Sequence, residues 1–225
     1  MPDMLHDNTG DHISEKNETF CELTVLYWAW KSLKEPYLGL CHYRRFFAKQ
    51  RLGDRRERIL TGNALEEYLK TTDVILPKKR HYWIETNYSQ YIHAHHRQDL
   101  DTTREILKRV YPEYLPAYDH NMARTSGHRF NMLLMKKDIL DRYCTWLFDV
   151  LFQLEAELDI SYYSRKDRRV FGYVSERLLD VCLETNQIPY RELPVVNLER
   201  QNWLKKGGMF LLRKLLAVCP EIRQR

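Results

Sequence analysis

The chain has 225 residues, of which 44% are hydrophobic and 30% charged, and its net charge is +5 with a pI of about 8.9. This length is enough for one sizeable core, and the composition is that of an ordered globular protein, which excludes a disordered or fibrous chain. The positive charge favours anionic partners such as nucleotides, phospholipid surfaces or nucleic acid.

Several features of the sequence indicate a cytoplasmic protein. Residues 1–19 are polar rather than a signal peptide, and no apolar run approaches the roughly 20 residues of a transmembrane helix. The five cysteines include no Cys-x-x-Cys, which is typical of reduced thiols. Basic residues occur in short clusters, without a nucleic-acid-binding motif, so we expect no nucleic-acid polymer as partner.

The first predicted element is an amphipathic helix. Thr19 is followed three residues later by Glu22, the spacing of a capping box. Apolar residues such as Leu23 and Tyr27 then recur at helical spacing, and Pro36 ends the pattern. The sequence therefore predicts one helix that begins near Thr19.

A basic cluster follows the first predicted strand. The apolar run 37–41 indicates a buried strand, and His42, Tyr43, Arg44 and Arg45 come directly after it. Ligand sites in open α/β sheets lie outside the carboxyl ends of strands, and the guanidinium fork matches phosphate oxygens. This segment predicts a site for a phosphorylated ligand; the alternative is a pair of solvated arginines after an edge strand.

A second strand repeats this pattern. The run 73–77 ends at Pro77, and Lys78, Lys79 and Arg80 follow. Two such strand exits on one side of a sheet would frame a single anionic pocket.

The remaining pattern alternates strands and helices. We expect a strand over 129–135 and then a long helix capped by Asp138, whose apolar stripe runs from Leu140 to Leu158 with residues three and four apart. The segment 171–177 leads into another helix, and a last strand covers 194–198. This order predicts one α/β domain over residues 1–225, with a mixed, mostly parallel sheet flanked by helices.

The C-terminal tail, from about residue 203, is basic and amphipathic. Such a segment can lie on an anionic membrane surface, here the inner face of the plasma membrane, or dock on the domain.

Motifs along nearly the whole chain resemble a family of bacterial capsular and exopolysaccharide glycosyltransferases, classed as a domain of unknown function (DUF4422). They include Asp-Asn-Thr-Gly-Asp at 7–11, Cys-Glu-Leu-Thr at 21–24 and Gly-Leu-Cys-His-Tyr-Arg-Arg-Phe at 39–46. Leu-Pro-Lys-Lys-Arg at 76–80 and Phe-Gly with Ser-Glu-Arg between 171 and 177 continue the match in the expected order.

The resemblance implies a GT-A-like fold and transfer of a hexose, galactose or galactofuranose, from a UDP-sugar to a lipid-linked or oligosaccharide acceptor. It also implies a strand before the Asp-Asn-Thr-Gly-Asp segment, and the sequence lacks that strand. We therefore weigh a second hypothesis, a truncated or non-catalytic glycosyltransferase-like module for binding or assembly.

Arginines rather than a metal are predicted to stabilise the diphosphate. Many GT-A enzymes use Asp-x-Asp and a divalent metal, whereas Asp99-Leu100-Asp101 reads as a helix start. We expect fixed guanidiniums, helped by Lys78 or Lys79, to act at the diphosphate, with no cofactor, and a divalent metal stays an alternative. The candidate donor-binding residues are Asn8, Thr9, Asp11, Asn17, His42, Tyr43, Arg44, Arg45, Lys78 and Lys79. The first four are equally explained as turn and cap residues.

Glu176 is the candidate general base, because we expect it at a loop-to-helix junction beside Gly172. The alternative is an ion pair between Glu176 and Arg177. His42 is a further candidate base, and Arg45 is the candidate catalytic cation, with a structural ion pair as its alternative.

Overall fold

The computed structural model describes residues 5–49 and 54–199. The described helices are α1 (Asn17–Phe20), α2 (Leu23–Ser32), α3 (Gly62–Leu69), α4 (Asn87–Ile92), α5 (Arg97–Val110), α6 (Leu115–Ala123), α7 (Lys137–Glu157) and α8 (Val170–Thr185). The described strands are β1 (Tyr37–Leu40), β2 (Arg45–Phe47), β3 (Val74–Pro77), β4 (Arg80–His81), β5 (Ser126–Gly127), β6 (Leu133–Lys136), β7 (Arg191–Leu193) and β8 (Val195–Asn197).

The central sheet has the strand order β1-β6-β3-β7. β6 runs antiparallel to both β1 and β3, whereas β3 and β7 are parallel. The expected mixed α/β sheet flanked by helices is confirmed, and antiparallel pairing has the larger share because β6 lies between two strands that it opposes. For the same reason β1 and β3 run in the same direction, so their carboxyl ends meet at one edge.

Short apolar runs form the centre of this sheet. All four residues of β3 are buried, as are Leu38 and Leu40 of β1. Two smaller sheets have two strands each, β2 with β8 and β4 with β5. They contain the strands that follow β1 and β3 in the chain.

Helix α7 supplies much of the core. Its predicted stripe is confirmed, since Leu140, Leu147 and Leu154 are completely buried. The helix begins at Lys137, directly after β6, and the extended Lys136 is its N-cap residue. Asp138 therefore lies in the first turn, and its prediction as the cap is wrong.

The first helix is broken where the sequence predicts continuity. Cys21 has a φ of +56°, which ends α1 and separates it from α2. Thr19 lies inside α1 and donates its hydroxyl hydrogen bond to the Lys16 carbonyl, so the predicted capping box is wrong.

Two other predicted boundaries also differ. The strand expected from Arg129 begins at Leu133, because Phe130 and Asn131 have φ values of +82° and +51°. Helix α8 begins at Val170, so Glu176 lies within the helix and not at its junction with the loop.

No helix in ranges 5–49 and 54–199 is long and apolar enough to cross a membrane. The predicted amphipathic tail from about residue 203 lies outside the described residues.

Candidate active site

Three residues with left-handed backbone converge on the first two turns of α8. Cys21, Phe130 and Asn131, hereafter the strained cluster, all have positive φ values without being glycine. Asn131 Nδ2 donates to Glu22 Oε1 at 3.0 Å and to the Gly172 carbonyl at 3.1 Å, which joins the two loops to α8. Such conformations cost about 1–3 kcal/mol each and concentrate at functional sites.

Helix α8 holds the strained cluster with polar side chains. Glu176 Oε1 accepts the Phe130 N–H at 3.0 Å, and the buried Ser175 hydroxyl donates to Asn131 Oδ1 at 2.8 Å. Gly172 permits this close approach, because a Cβ there would lie 3.2 Å from Cys21 Sγ and the neighbouring atoms would have to shift. The sequence around 171–177 thus serves as the support of this site.

Two basic side chains, Arg45 and Arg169, contact the strained cluster, and the charge of Arg80 acts on Arg45. We call these three arginines the cationic cluster, and the imidazole of His42 interacts electrostatically with two of them. The Arg45 guanidinium carbon lies 4.3 Å from the centre of the Phe130 ring. Burial and the charge of Arg44 lower the Arg45 pKa, while Glu176 and Glu22 oppose that shift and Arg80 adds to it. Arg45 is therefore a partly desolvated cation in a field of excess positive charge.

Arg169 contacts the strained cluster although it lies in a distant part of the sequence. Its Nε donates to Cys21 Sγ at 3.0 Å, and its charge acts on Glu22 and on His42. It precedes α8 by one residue, so the start of this helix brings it to the strained cluster.

His42 is neutral at physiological pH. Burial lowers its pKa, and the charges of Arg45, Arg44 and Arg169 lower it further. Its Nδ1 accepts the Arg44 N–H at 3.2 Å. A neutral imidazole next to arginines can accept a proton or hydrogen-bond a ligand without adding to the charge.

Tyr43 and Arg44, which lie between His42 and Arg45 in the sequence, make different contacts. Arg44 forms an ion pair with Glu199 at 2.8 Å, and this hydrogen bond raises the Arg44 pKa, so its charge is compensated. Tyr43 is 72% exposed, and its ring lies 4.4 Å from that of His42. Of the two adjacent arginines, Arg45 is the one directed into the strained cluster.

The second strand exit contributes Arg80. Arg80 is exposed at the start of β4, and its charge acts on Arg45. Lys79 instead donates to the Tyr190 hydroxyl at 2.8 Å, and the exposed Lys78 donates its backbone N–H to Leu193. The sequence pattern identified this strand exit but selected its lysines rather than Arg80.

The candidate residues near the N-terminus bind the chain itself. Thr9 accepts the Trp28 indole N–H at 3.0 Å, and Asp11 accepts the Tyr27 hydroxyl at 3.1 Å, so both fasten the N-terminal segment to α2. Asn8 is exposed.

Asn17 alone of these four touches the strained cluster. Its amide donates to the Cys21 carbonyl at 3.0 Å. This bond supports the break between α1 and α2.

Glu176 is positioned by two contacts. Besides the Phe130 N–H, it faces Arg177 Nη1 at 3.4 Å, and its side chain is 19% exposed. The ion pair with Arg177 is thus present, yet a carboxylate has about four acceptor sites, so capacity for a ligand hydroxyl remains. Glu22 is a second carboxylate at this site, which the sequence pattern marked as part of a motif without a role.

The residues of this site do not fit a divalent metal. Arginines flank both Glu22 and Glu176, and positive charge repels a cation. Asp99 lies buried in α5, where the Tyr91 hydroxyl donates to it at 2.7 Å, and Asp101 accepts from Tyr88. Within the part of the chain that the structure describes, no group of three His, Cys, Asp or Glu side chains is arranged to hold a metal.

The fold and the site define a glycosyltransferase-like α/β protein. The solved apo structure of WbbM, a bifunctional glycosyltransferase, superposes with a TM-score of 0.79 at 29% sequence identity. The match covers 86% of this chain and 39% of the WbbM chain, so the chain spans well under half of that protein. Comparison with curated proteins finds no match.

The family follows from the sequence model. The domain of unknown function DUF4422 matches residues 1–187, and the chain belongs to this family.

Proposed function

We propose that this chain transfers a hexose, galactose or galactofuranose, from a UDP-sugar to a lipid-linked or oligosaccharide acceptor in capsular or exopolysaccharide synthesis. The observation that carries the proposal is the convergence of Arg45 and Arg169 on the strained cluster, with the charge of Arg80 acting on Arg45. The likeness to a bifunctional glycosyltransferase supports the general activity.

The cationic cluster acts on the leaving group. During transfer the bond between the anomeric carbon and the β-phosphate oxygen breaks, and negative charge grows on the departing UDP. Guanidiniums already fixed by Phe130 and Cys21 need little reorganisation to stabilise that charge. Each well-placed donor of this kind contributes on the order of 3 kcal/mol.

Glu176 takes the proton of the acceptor hydroxyl as that oxygen bonds to the anomeric carbon. Its hydrogen bond from the Phe130 N–H fixes one carboxylate oxygen beside Arg45. We expect Glu176→Gln to retain UDP binding and to lower turnover about 10²-fold or more, since general bases contribute 10²–10⁴-fold. Full turnover in this variant would transfer the role of base to Glu22 or His42.

Titration calorimetry with UDP tests the donor site, and transfer from UDP-galactose tests the reaction. Binding of UDP without turnover of any UDP-hexose would favour the non-catalytic binding or assembly module. Absence of heat with every nucleotide would contradict a donor site altogether.

The proposal also assigns charge stabilisation to arginine rather than to a metal. Turnover should therefore persist in EDTA, with the untreated enzyme assayed in parallel. Loss of turnover in EDTA that manganese restores would contradict this part of the proposal.

A further inference from the structure

Trp83 is presented to solvent by a strained turn. Its φ is +62°, and the Ile84 N–H donates to the Tyr82 carbonyl at 2.7 Å, which closes a three-residue γ-turn with Trp83 at its centre. Turns of this positive-φ kind are rare and strained, and bulky residues seldom occupy them. Nevertheless the Trp83 side chain is 85% exposed.

The residues on both sides of this turn are fixed. Tyr82 is buried, its hydroxyl accepts from Arg129 Nε at 3.0 Å, and its N–H donates to the Thr125 carbonyl. Glu85 is also buried and faces His93 Nδ1 at 2.7 Å. The turn is therefore held rigidly, with the indole directed away from the core.

The exposed surface of this turn is apolar and flanked by cations. Ile84, next to Trp83, is 60% exposed, which makes a contiguous pair of large apolar side chains. Lys78 and Arg80 are exposed immediately before it. The segment 78–84 contains no acidic residue, and the next carboxylate along the chain, Glu85, is buried.

We propose that Trp83 and Ile84 insert into the interface of an anionic lipid bilayer, while the exposed Lys78 contacts its headgroups. Tryptophan is favoured at the level of lipid headgroups, and cations next to apolar residues add electrostatic attraction. This surface lies outside the C-terminal tail and next to Arg80 of the cationic cluster. It would orient the donor site towards a lipid surface.

The composition of the pair favours a bilayer over a sugar ring. A carbohydrate platform needs only the flat indole, whereas a branched aliphatic neighbour at 60% exposure adds apolar volume suited to acyl chains. The flanking positive charge is attracted by anionic headgroups, whereas a neutral sugar carries no charge to attract it.

Vesicle co-sedimentation of the full chain tests the proposal without any nucleotide sugar, so its failure is distinguishable from failure of the proposed function. The wild type should sediment with phosphatidylglycerol–phosphatidylcholine vesicles and much less with phosphatidylcholine alone. The double variant Trp83→Ser/Ile84→Ser should lose most of this binding. Lys78→Gln should weaken it roughly fivefold, the contribution of one cation near a charged surface.

Val25→Ser is the matched control, because Val25 is an exposed apolar residue on α2, 42% exposed. It should bind vesicles like the wild type, and thermal melts should show all variants folded. Undiminished binding of the double variant would overturn the proposal and assign any membrane contact elsewhere. A double variant that binds vesicles normally but uses a soluble oligosaccharide acceptor poorly would overturn it in favour of an acceptor platform.

Discussion

The two halves of α8 carry carboxylates in opposite surroundings. In the second half, Asp180 accepts from the His128 ring at 2.5 Å and from the His128 N–H at 2.8 Å, and Glu192 faces the other ring nitrogen at 3.1 Å. His128 is completely buried. In the first half, Glu176 lies partly exposed next to the cationic cluster, where positive charge exceeds negative.

This difference distinguishes a structural network from a binding site. Around Asp180 burial would raise the pKa, but the hydrogen bonds and charge of His128 outweigh it and lower the pKa. Every group there has a partner within the protein. Around Glu176 the arginines are only partly compensated by Glu176 and Glu22, and under the proposed function a bound diphosphate would supply the remaining negative charge.

The largest expected effect is a loss of stability, caused by a substitution in the second half of α8. Asp180→Asn removes the charged acceptor of two hydrogen bonds from the buried His128, which should cost about 3 kcal/mol of the free energy of unfolding. The melting temperature should fall by roughly 10 °C. Asp149→Ala, which removes an exposed carboxylate bonded to Tyr111, is the control and should change the free energy by less than about 1 kcal/mol. Equal melting curves would contradict the structural assignment.

The second-largest effect is expected on the transfer rate, from a substitution next to the first half of α8. Arg45→Met should lower the transfer rate about 10²–10³-fold, the usual loss for a preorganised charge donor. The melting temperature should stay constant or rise, because burial and Arg44 disfavour the Arg45 cation in the folded protein. Steady-state rates and melting curves measure both quantities. A destabilised variant with normal rates would make Arg45 a structural ion pair instead.

A pH effect should arise where His95 packs 4.3 Å from the Tyr173 ring in the first half of α8. Burial lowers the His95 pKa to about 4, against the opposing hydrogen bond with Asp167. Between about pH 6.5 and 4 the unfolded chain thus binds more protons at this position, so stability falls as the pH falls. The loss should be about 2–3 kcal/mol. Denaturant unfolding should show a shallower pH dependence in His95→Gln, and an identical slope would refute the assignment.

The smallest effect on transfer and stability is expected for Arg44, which lies next to the site. Arg44 and Glu199 form an exposed pair, and solvent screens such pairs so that they contribute little to stability. Arg44→Met should therefore alter stability little and lower transfer far less than Arg45→Met. A rate loss as large as that of Arg45→Met would show that the Glu199 pair opens when the donor binds.

The elements that could be predicted from the sequence are those whose apolar residues form a buried run or stripe. The apolar runs of β1 and β3 and the stripe of α7 follow from periodicity, and the shared edge of the two strand exits followed from the mixed sheet. The end of β1 pointed to His42 and Arg45, because the position of a strand end fixes where the next side chains lie; their role in a site stays a prediction.

The strained cluster could not be predicted in this way. Left-handed backbone is normally signalled by glycine or asparagine, and only Asn131 carries such a signal, whereas Cys21 and Phe130 carry none. Arg169 is more than a hundred residues from its partner Cys21, so only the tertiary fold unites them. The lysines after β3 were preferred to Arg80 because charge density along a sequence does not encode the direction of side chains.

The break at Cys21 has a consequence for how the family can diverge. If that residue adopted helical torsion angles, α1 and α2 would fuse, and Glu22 would turn away from Asn131. Glycine at position 21 should keep this torsion angle but lose the Sγ contact with Arg169, whereas valine or isoleucine should be rejected because branched side chains tolerate positive φ poorly. Selection at this position would then act on the torsion angle and the thiol together.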